Sequence, residues 1–389
     1  MHPEFDNTEI AFQYRSNSDL KQARFLFSSM GSPILTAIGT RFTSWAMKIG
    51  LPINGIIKKT IFKQFCGGET MEEAAQTANI LNKYNVGVIL DYGVEGKEGE
   101  AEYDKALPEF IKAVKYASSQ KNIPFISLKV TGFGRFGLLE KIHTGEKLNE
   151  AEQQEWQRIF DRIDDICKAA SDSSIMVLVD AEETWIQNPV NELADAMMQR
   201  YNKQKAIVYN TFQMYTTGAL PYLRGSFEKS QVDGYILGAK LVRGAYMEKE
   251  RRRAEEKSYP SPIQPDKTAT DSDYNAAAHY CLDRLGKLDL FIGTHNEESC
   301  MLVVNYMETH NIASQSPHLY FSQLYGMSDN ISFNLAHAGY HVAKYLPYGP
   351  VGDVIPYLMR RAQENTSVAG QTGRELGLIN KELKRRKLV

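Results

Sequence analysis

The chain has 389 residues, 43% of them hydrophobic and 24% charged, with a formal net charge of −2. That composition is globular, and the near-balanced charge offers no electrostatic footprint for nucleic acid, so no nucleic-acid partner is expected. The cysteines, Cys66, Cys167, Cys281 and Cys300, are scattered without a C-x-x-C pair. They are read as reduced, buried thiols of a reducing, cytoplasmic compartment, forming neither a metal set nor a disulfide framework.

In chain order, the N-terminus MHPEFDNTEIAFQYRS is polar and acidic, without the basic region and apolar core of a secretory signal. Residues 33–65 are apolar at helical spacing and include Trp45, but they carry Lys48, Lys58, Lys59 and Lys63. They are too polar to span a bilayer, which takes about 18 apolar residues in succession. A docked core helix is expected, with a surface resting on lipid as the alternative. Residues 1–85 thus read as an N-terminal helical segment packed before the main domain.

From residue 86 onward, short apolar runs alternate with longer charged stretches of helical pattern, the signature of a parallel α/β fold. The runs are 86–94, 125–131, 175–181, 206–215, 235–246, 290–296, 319–327 and 342–348. Eight runs over 86–349 match the ~250 residues typical of a closed barrel. The expected fold is α/β, a distorted (β/α)8 TIM-type barrel over residues 86–389. It ends in an eighth helix and a basic tail at 381–387, read as a solvated helix with lipid contact as the alternative. In the second run, Ile126, Leu128 and Val130 alternate with Ser127, Lys129 and Thr131. One apolar face and one polar face suit a barrel wall better than an open sheet buried on both sides.

Gly132, Gly134 and Gly137 follow this run in a formal G-x-G-x-x-G. A dinucleotide-binding site would need a further strand ending in an acid about 20 residues on. Residues 143–157 are instead charged and helical in pattern, so the glycines are assigned to a tight loop over the barrel mouth. His337 and His341 straddle Gly339 just before a strand, which argues against a helical metal pair, and no metal is expected.

Barrel active sites form where strands end, and five runs end in polar groups. These are Lys129; Asp180, Glu182 and Glu183; Asn210, Thr211 and Gln213; Lys240 with Arg243; and Thr294, His295 and Asn296. After the last run, Asp353 and Pro356 read as a helix start. That places Tyr357, Arg360, Arg361 and Glu364 on one side at i, i+3, i+4 and i+7. Two adjacent arginines flanked in phase by a tyrosine and a glutamate suit a carboxylate clamp, since a guanidinium binds a carboxylate with two parallel hydrogen bonds.

Tyr-x-x-Arg-Arg-x-x-Glu at 357–364 resembles the strongest signature of the proline dehydrogenase family. Leu-Asp-Tyr-Gly-Val-Glu (90–95), Asp-Ala-Glu-Glu (180–183), Lys-Leu-Val-Arg-Gly-Ala-Tyr (240–246), Thr-His-Asn (294–296) and Gly-Met-Ser-Asp (326–329) resemble it too, in family order. The wording is most similar to the eukaryotic-type, single-function branch. The resemblance implies FAD as cofactor, L-proline as substrate, a quinone as electron acceptor and a peripheral visit to a membrane. Lys129, Arg360 and Arg361 would hold the substrate carboxylate, and Tyr345 and Tyr357 would wall its ring. Asp180 and Lys240 would be catalytic beside the flavin. Flavin contacts would come from Val179, Asn210, Arg243, Gly244, Ala245, Tyr246, Thr294, His295, Asn296 and Glu364. Asn210 stands where many members carry glutamine, and Lys240 where the bacterial bifunctional members carry arginine. The rival within the superfamily is a hydroxyproline dehydrogenase, a branch in which a smaller residue replaces the tyrosine at the position of Tyr345. A second rival is a non-catalytic barrel that binds an anionic metabolite through Arg360 and Arg361.

Overall fold

All eight expected strands form. In the computed structural model they run parallel and close in chain order as a barrel: β1 (Val86–Tyr92), β2 (Phe125–Leu128), β3 (Met176–Val179), β4 (Val208–Gln213), β5 (Leu237–Val242), β6 (Leu288–Gly293), β7 (Leu319–Leu324) and β8 (Val342–Tyr348). The described residues are 1–31, 54–93, 99–367 and 371–389, with 363–367 and 371–372 described by backbone alone. Most of the 33–65 stretch, including Trp45 and Lys48, lies outside them, as do Val94, Glu95 and the side chain of Glu364.

Most strands are shorter than their apolar runs, because apolar character continues into loops after the ladder ends. Val130 belongs to a 3-10 turn, Val130–Gly132, and not to β2. Of the G-x-G-x-x-G glycines, Gly132 ends this turn, Gly134 lies in the bend after it and Gly137 is in the first turn of the helix Phe136–His143. The next element is another helix, Glu150–Ser173, so the segment lacks the second strand of a dinucleotide site.

The chain divides into two compact units, Lys97–Ser322 and a second made of Met1–Gly96 with Gln323–Val389. In the first unit the inner face is set by aromatic rings. Phe125 lies 5.9 Å from Tyr209, 5.1 Å from Phe291 and 4.8 Å from Tyr320, edge to face. Tyr209 therefore points inward, and with a period of two so do Thr211 and Gln213. Asn210 and Phe212 point outward, toward the helices Gln187–Tyr201 and Ala219–Asp233.

In the second unit, the helices Asn17–Met30 and Gln371–Arg385 share a core containing Leu20, Phe27, Leu378 and Leu383. A buried polar network ties this unit together. Asp329 pairs with Lys344 at 3.0 Å and Arg15 at 2.9 Å, and accepts the Tyr14 hydroxyl at 2.8 Å. Arg15 also donates to Gln64, whose amide donates to the Gly326 carbonyl at 2.6 Å. Gly326 has φ +80°, and a Cβ there would lie 1.9 Å from the Gln64 carbonyl oxygen, so the turn requires glycine.

Two expectations are corrected here. The helix after β8 starts at Val351, with the Pro350 carbonyl accepting from Asp353 and Val354, so Pro356 sits inside it and not at its start. The residues read as a tail largely belong to the packed helix Gln371–Arg385. Glu382, fully buried, takes Arg385 at 2.8 Å and Arg386 at 2.6 Å. Arg386 also donates to the carbonyls of Phe12 and Arg15. These arginines are occupied within the unit and do not form a free basic arm.

Candidate active site

Within Lys97–Ser322, the β2, β3 and β5 ends converge on one carboxylate. β3 ends at Val179, and the next N–H, from Asp180, still donates to the Leu128 carbonyl at 2.9 Å. This last rung holds Asp180 at the barrel wall, where its Oδ1 accepts from Lys240 Nζ at 2.7 Å. Lys129 Nζ lies 3.9 Å from the other oxygen. Asp180 and Lys240 are 9% and 6% exposed, so each depends on its partner for the solvation that burial removes. Two expected catalytic residues and one expected substrate contact are thereby brought together.

Around them, Glu182 is buried and accepts from the Thr131 N–H and hydroxyl. Burial pushes its carboxyl up to about 7, against those hydrogen bonds and the charge of Lys129. Gln213 donates to the Glu182 carbonyl at 2.7 Å. Thr211 donates to the Val179 carbonyl, also at 2.7 Å, so that expected flavin contact already serves the wall.

A second group forms past β5 and β6. Arg243 donates to Asp271 (2.7 Å), Thr294 (2.6 Å) and Ser299 (3.0 Å), and its guanidinium lies over the Tyr274 ring at 4.4 Å. Gly244 has φ +140°, and a Cβ there would lie 2.4 Å from the Tyr215 ring. Gly244 and Ala245 are exposed, and Tyr246 precedes the helix Met247–Lys257. Asn296 caps the helix Glu297–Thr309 by accepting from the Ser299 N–H, and His295 beside it is half-buried.

Asn210 stands apart from both groups. Its amide donates to Asn191 and to the Tyr222 hydroxyl, on the outer side of β4. The inward polar residue at the end of that strand is Gln213, named in the sequence only as one of several polar strand-end groups. The signal that identifies it is parity with Thr211, which is usable only once the inner face is known.

In the other unit, Tyr345 lies on β8, paired with Ile89 of β1 and 7% exposed. On the helix Val351–Ser367, Tyr357 and Arg361 are buried and Arg360 half-buried, with the Arg361 guanidinium 5.0 Å from the centre of the Tyr357 ring. A guanidinium buried against an aromatic ring is no ordinary solvated surface charge.

A closed parallel barrel with a buried lysine–aspartate pair at its strand ends belongs to the class of α/β-barrel enzymes. The model of the proline dehydrogenase family matches residues 74–374. A mitochondrial proline dehydrogenase 1 of Dictyostelium discoideum is 33% identical over 89% of this chain and 68% of its own length. The carbapenem antibiotics biosynthesis protein CarD of Pectobacterium carotovorum subsp. carotovorum is 34% identical over 83% of each chain. A hydroxyproline dehydrogenase of Xenopus laevis is 32% identical over 90% of this chain and 80% of its own. Proline utilization A from Bdellovibrio bacteriovorus, a solved structure, superposes with a TM-score of 0.73 over 95% of this chain and 40% of that one. Its 20% identity bears on the fold alone. The chain belongs to the proline dehydrogenase family, a flavin-dependent family of oxidoreductases.

Proposed function

We propose that this chain binds FAD and oxidises L-proline to Δ1-pyrroline-5-carboxylate, the electrons passing to a quinone. The observation that carries the reading is the buried Asp180–Lys240 pair, with Lys129 beside it, in a chain of this family. The donor set fits a flavin dinucleotide: a fixed guanidinium, the Thr294 hydroxyl and the exposed Gly244–Ala245 backbone suit a pyrophosphate. Tyr246, His295, Asn296, Glu364 and the Val179 backbone complete the proposed flavin contacts. Gln213, on the inner face of β4, takes the role first given to Asn210, which faces the outer helices.

A bound flavin would supply the hydride acceptor for the ring carbon next to nitrogen. The chain's own part is orientation and field. Arg360, Arg361 and Lys129 hold the carboxylate, while Tyr345 and Tyr357 wall the ring. Three cations against one carboxylate leave a net positive surrounding, which favours loss of the substrate's ammonium proton and frees the lone pair that forms the C=N bond.

The quinone and a peripheral membrane contact belong to the same proposal. Among the described residues no helix is long and apolar enough to cross a membrane. All four cysteines are buried and free, which supports a reducing compartment. With several relatives named as mitochondrial, the proposal is a reducing compartment with a quinone-bearing membrane and is not restricted to the cytoplasm. Anaerobic addition of L-proline should bleach the visible band of the FAD-loaded protein. A preparation that stays colourless with added FAD overturns the flavoenzyme reading. A flavin reduced by trans-4-hydroxyproline in preference to proline moves the chain to the hydroxyproline branch.

A further inference from the structure

We infer that Glu182 is a positioning residue that sets the proline affinity by holding Lys129 in place. The inference rests on the proposed role of Lys129 at the substrate carboxylate. Its basis is how the chain around Lys129 is held. The β2–β3 ladder stops at Leu128 paired with Val179, and Lys129 is the next residue, still extended at φ −113° and ψ 137°. Immediately after it the chain turns into the Val130–Gly132 3-10 turn, where the Gly132 N–H donates to the Lys129 carbonyl at 3.0 Å. Lys129 is therefore the hinge between a strand that has ended and a turn that has begun. On the strand side it is fixed by the rung from Asp180 to Leu128. On the turn side the tie is Glu182, whose carboxylate accepts the Thr131 N–H at 3.1 Å through one oxygen and the Thr131 hydroxyl through the other.

Glu182 is itself held at both backbone atoms. Its N–H donates to Gln187 Oε1 at 2.9 Å and its carbonyl accepts Gln213 Nε2 at 2.7 Å. One residue thus links the β2 and β4 ends to the start of the helix Gln187–Tyr201, and it is 3% exposed. A buried carboxylate is costly, and if only packing mattered here a methionine would serve as well as the glutamate. Its two oxygens are both directed to one threonine two residues beyond Lys129. That arrangement fixes the direction in which the lysine leaves the wall, and the reach of a flexible lysine stem is set by where its Cα stands.

The test is a mutant cycle on the FAD-loaded protein with a soluble dye acceptor, using Glu182→Ala, Lys129→Met and both together. Proline KM and kcat, flavin content, and the thermal shift produced by an amine-free cyclic carboxylate of proline's size are read for each. Glu182→Ala should raise KM about tenfold and weaken the carboxylate's thermal shift, with kcat and flavin content near the starting values. The double variant should match Lys129→Met alone, because the two act on one contact. Glu182→Gln, which keeps an acceptor for Thr131, should recover much of the loss, and Thr131→Val should reproduce part of it. Multiplying KM effects in the double variant, or a melting-point loss with unchanged KM, overturns the inference and leaves Glu182 a structural residue. If the alanine variant does not fold, Thr131→Val decides the same question, and a wild-type KM in that variant refutes the inference. An unchanged KM in Lys129→Met alone refutes the carboxylate role of Lys129, a separate failure from that of Glu182.

Discussion

Replacing Lys240 by methionine tests whether the wall of this barrel depends on a charge pair. The two side chains are similar in length, so the main loss is the ammonium group 2.7 Å from Asp180 Oδ1. Removing one partner of a buried pair leaves a charge that neither water nor protein solvates, typically at a cost of about 3–5 kcal/mol. Lys129 remains 3.9 Å from the other oxygen, and the Asp180 side chain keeps 12% exposure. Both moderate the loss and place the expected value near the lower end, about 3 kcal/mol. The assay is urea unfolding of Lys240→Met, Asp180→Asn and the double variant, with and without saturating FAD, at unchanged slope. The double variant removes both charges at once, so its loss should fall short of the two single losses added together by about 1.5 kcal/mol or more. A Lys240→Met midpoint equal to that of the starting protein, or additive losses, would refute the claim that the pair is an interdependent buried unit.

Arg360→Met and Arg361→Met should each raise proline KM about ten- to a hundred-fold at normal flavin content, the equivalent of one lost charge-assisted hydrogen bond; unchanged KM in both returns these arginines to structural roles. Tyr345→Ser should raise the ratio of kcat/KM for trans-4-hydroxyproline over proline, and a ratio that does not move removes Tyr345 from the ring wall. Ending the chain after Asn380 removes the fully buried Leu383 and the Glu382–Arg385–Arg386 cluster. With roughly 2–3 kcal/mol lost from Leu383 alone, the thermal midpoint should drop by several degrees, whereas a free lipid-binding arm would leave it unchanged. Glu375 is pushed up to about 7 by burial and by Asp329. Its folded pKa lies above the unfolded value, so its contribution is fully present below about pH 4.3 and is lost as pH rises through about 7. Glu375→Gln, free of that titration, should gain on the starting protein by about 3–4 kcal/mol between those limits. A stability difference independent of pH contradicts the assignment.

The sequence by itself determined the elements that depend on short-range pattern. Eight apolar runs separated by helical stretches specify a parallel barrel, since each run needs burial and each connection is long enough for a crossover. The Tyr-x-x-Arg-Arg-x-x-Glu spacing needs only helical periodicity, and it carried the family resemblance. What only the tertiary structure decided is which way individual side chains face and which distant residues meet. Asn210 and Gln213 differ by an odd number of positions, so they lie on opposite sides of β4, and the sequence does not say which side is inner. That was decided by Phe125, Tyr209, Phe291 and Tyr320 meeting edge to face. The helix start moved from Asp353 to Val351 because the Pro350 carbonyl could take the first bonds. The basic run near the C-terminus looked solvated because its partners, Phe12 and Arg15, lie at the other end of the chain. Arg15, Asp329 and Lys344 form one buried network for the same reason. Local composition records that a residue is charged, but the charge that neutralises it is supplied by the fold.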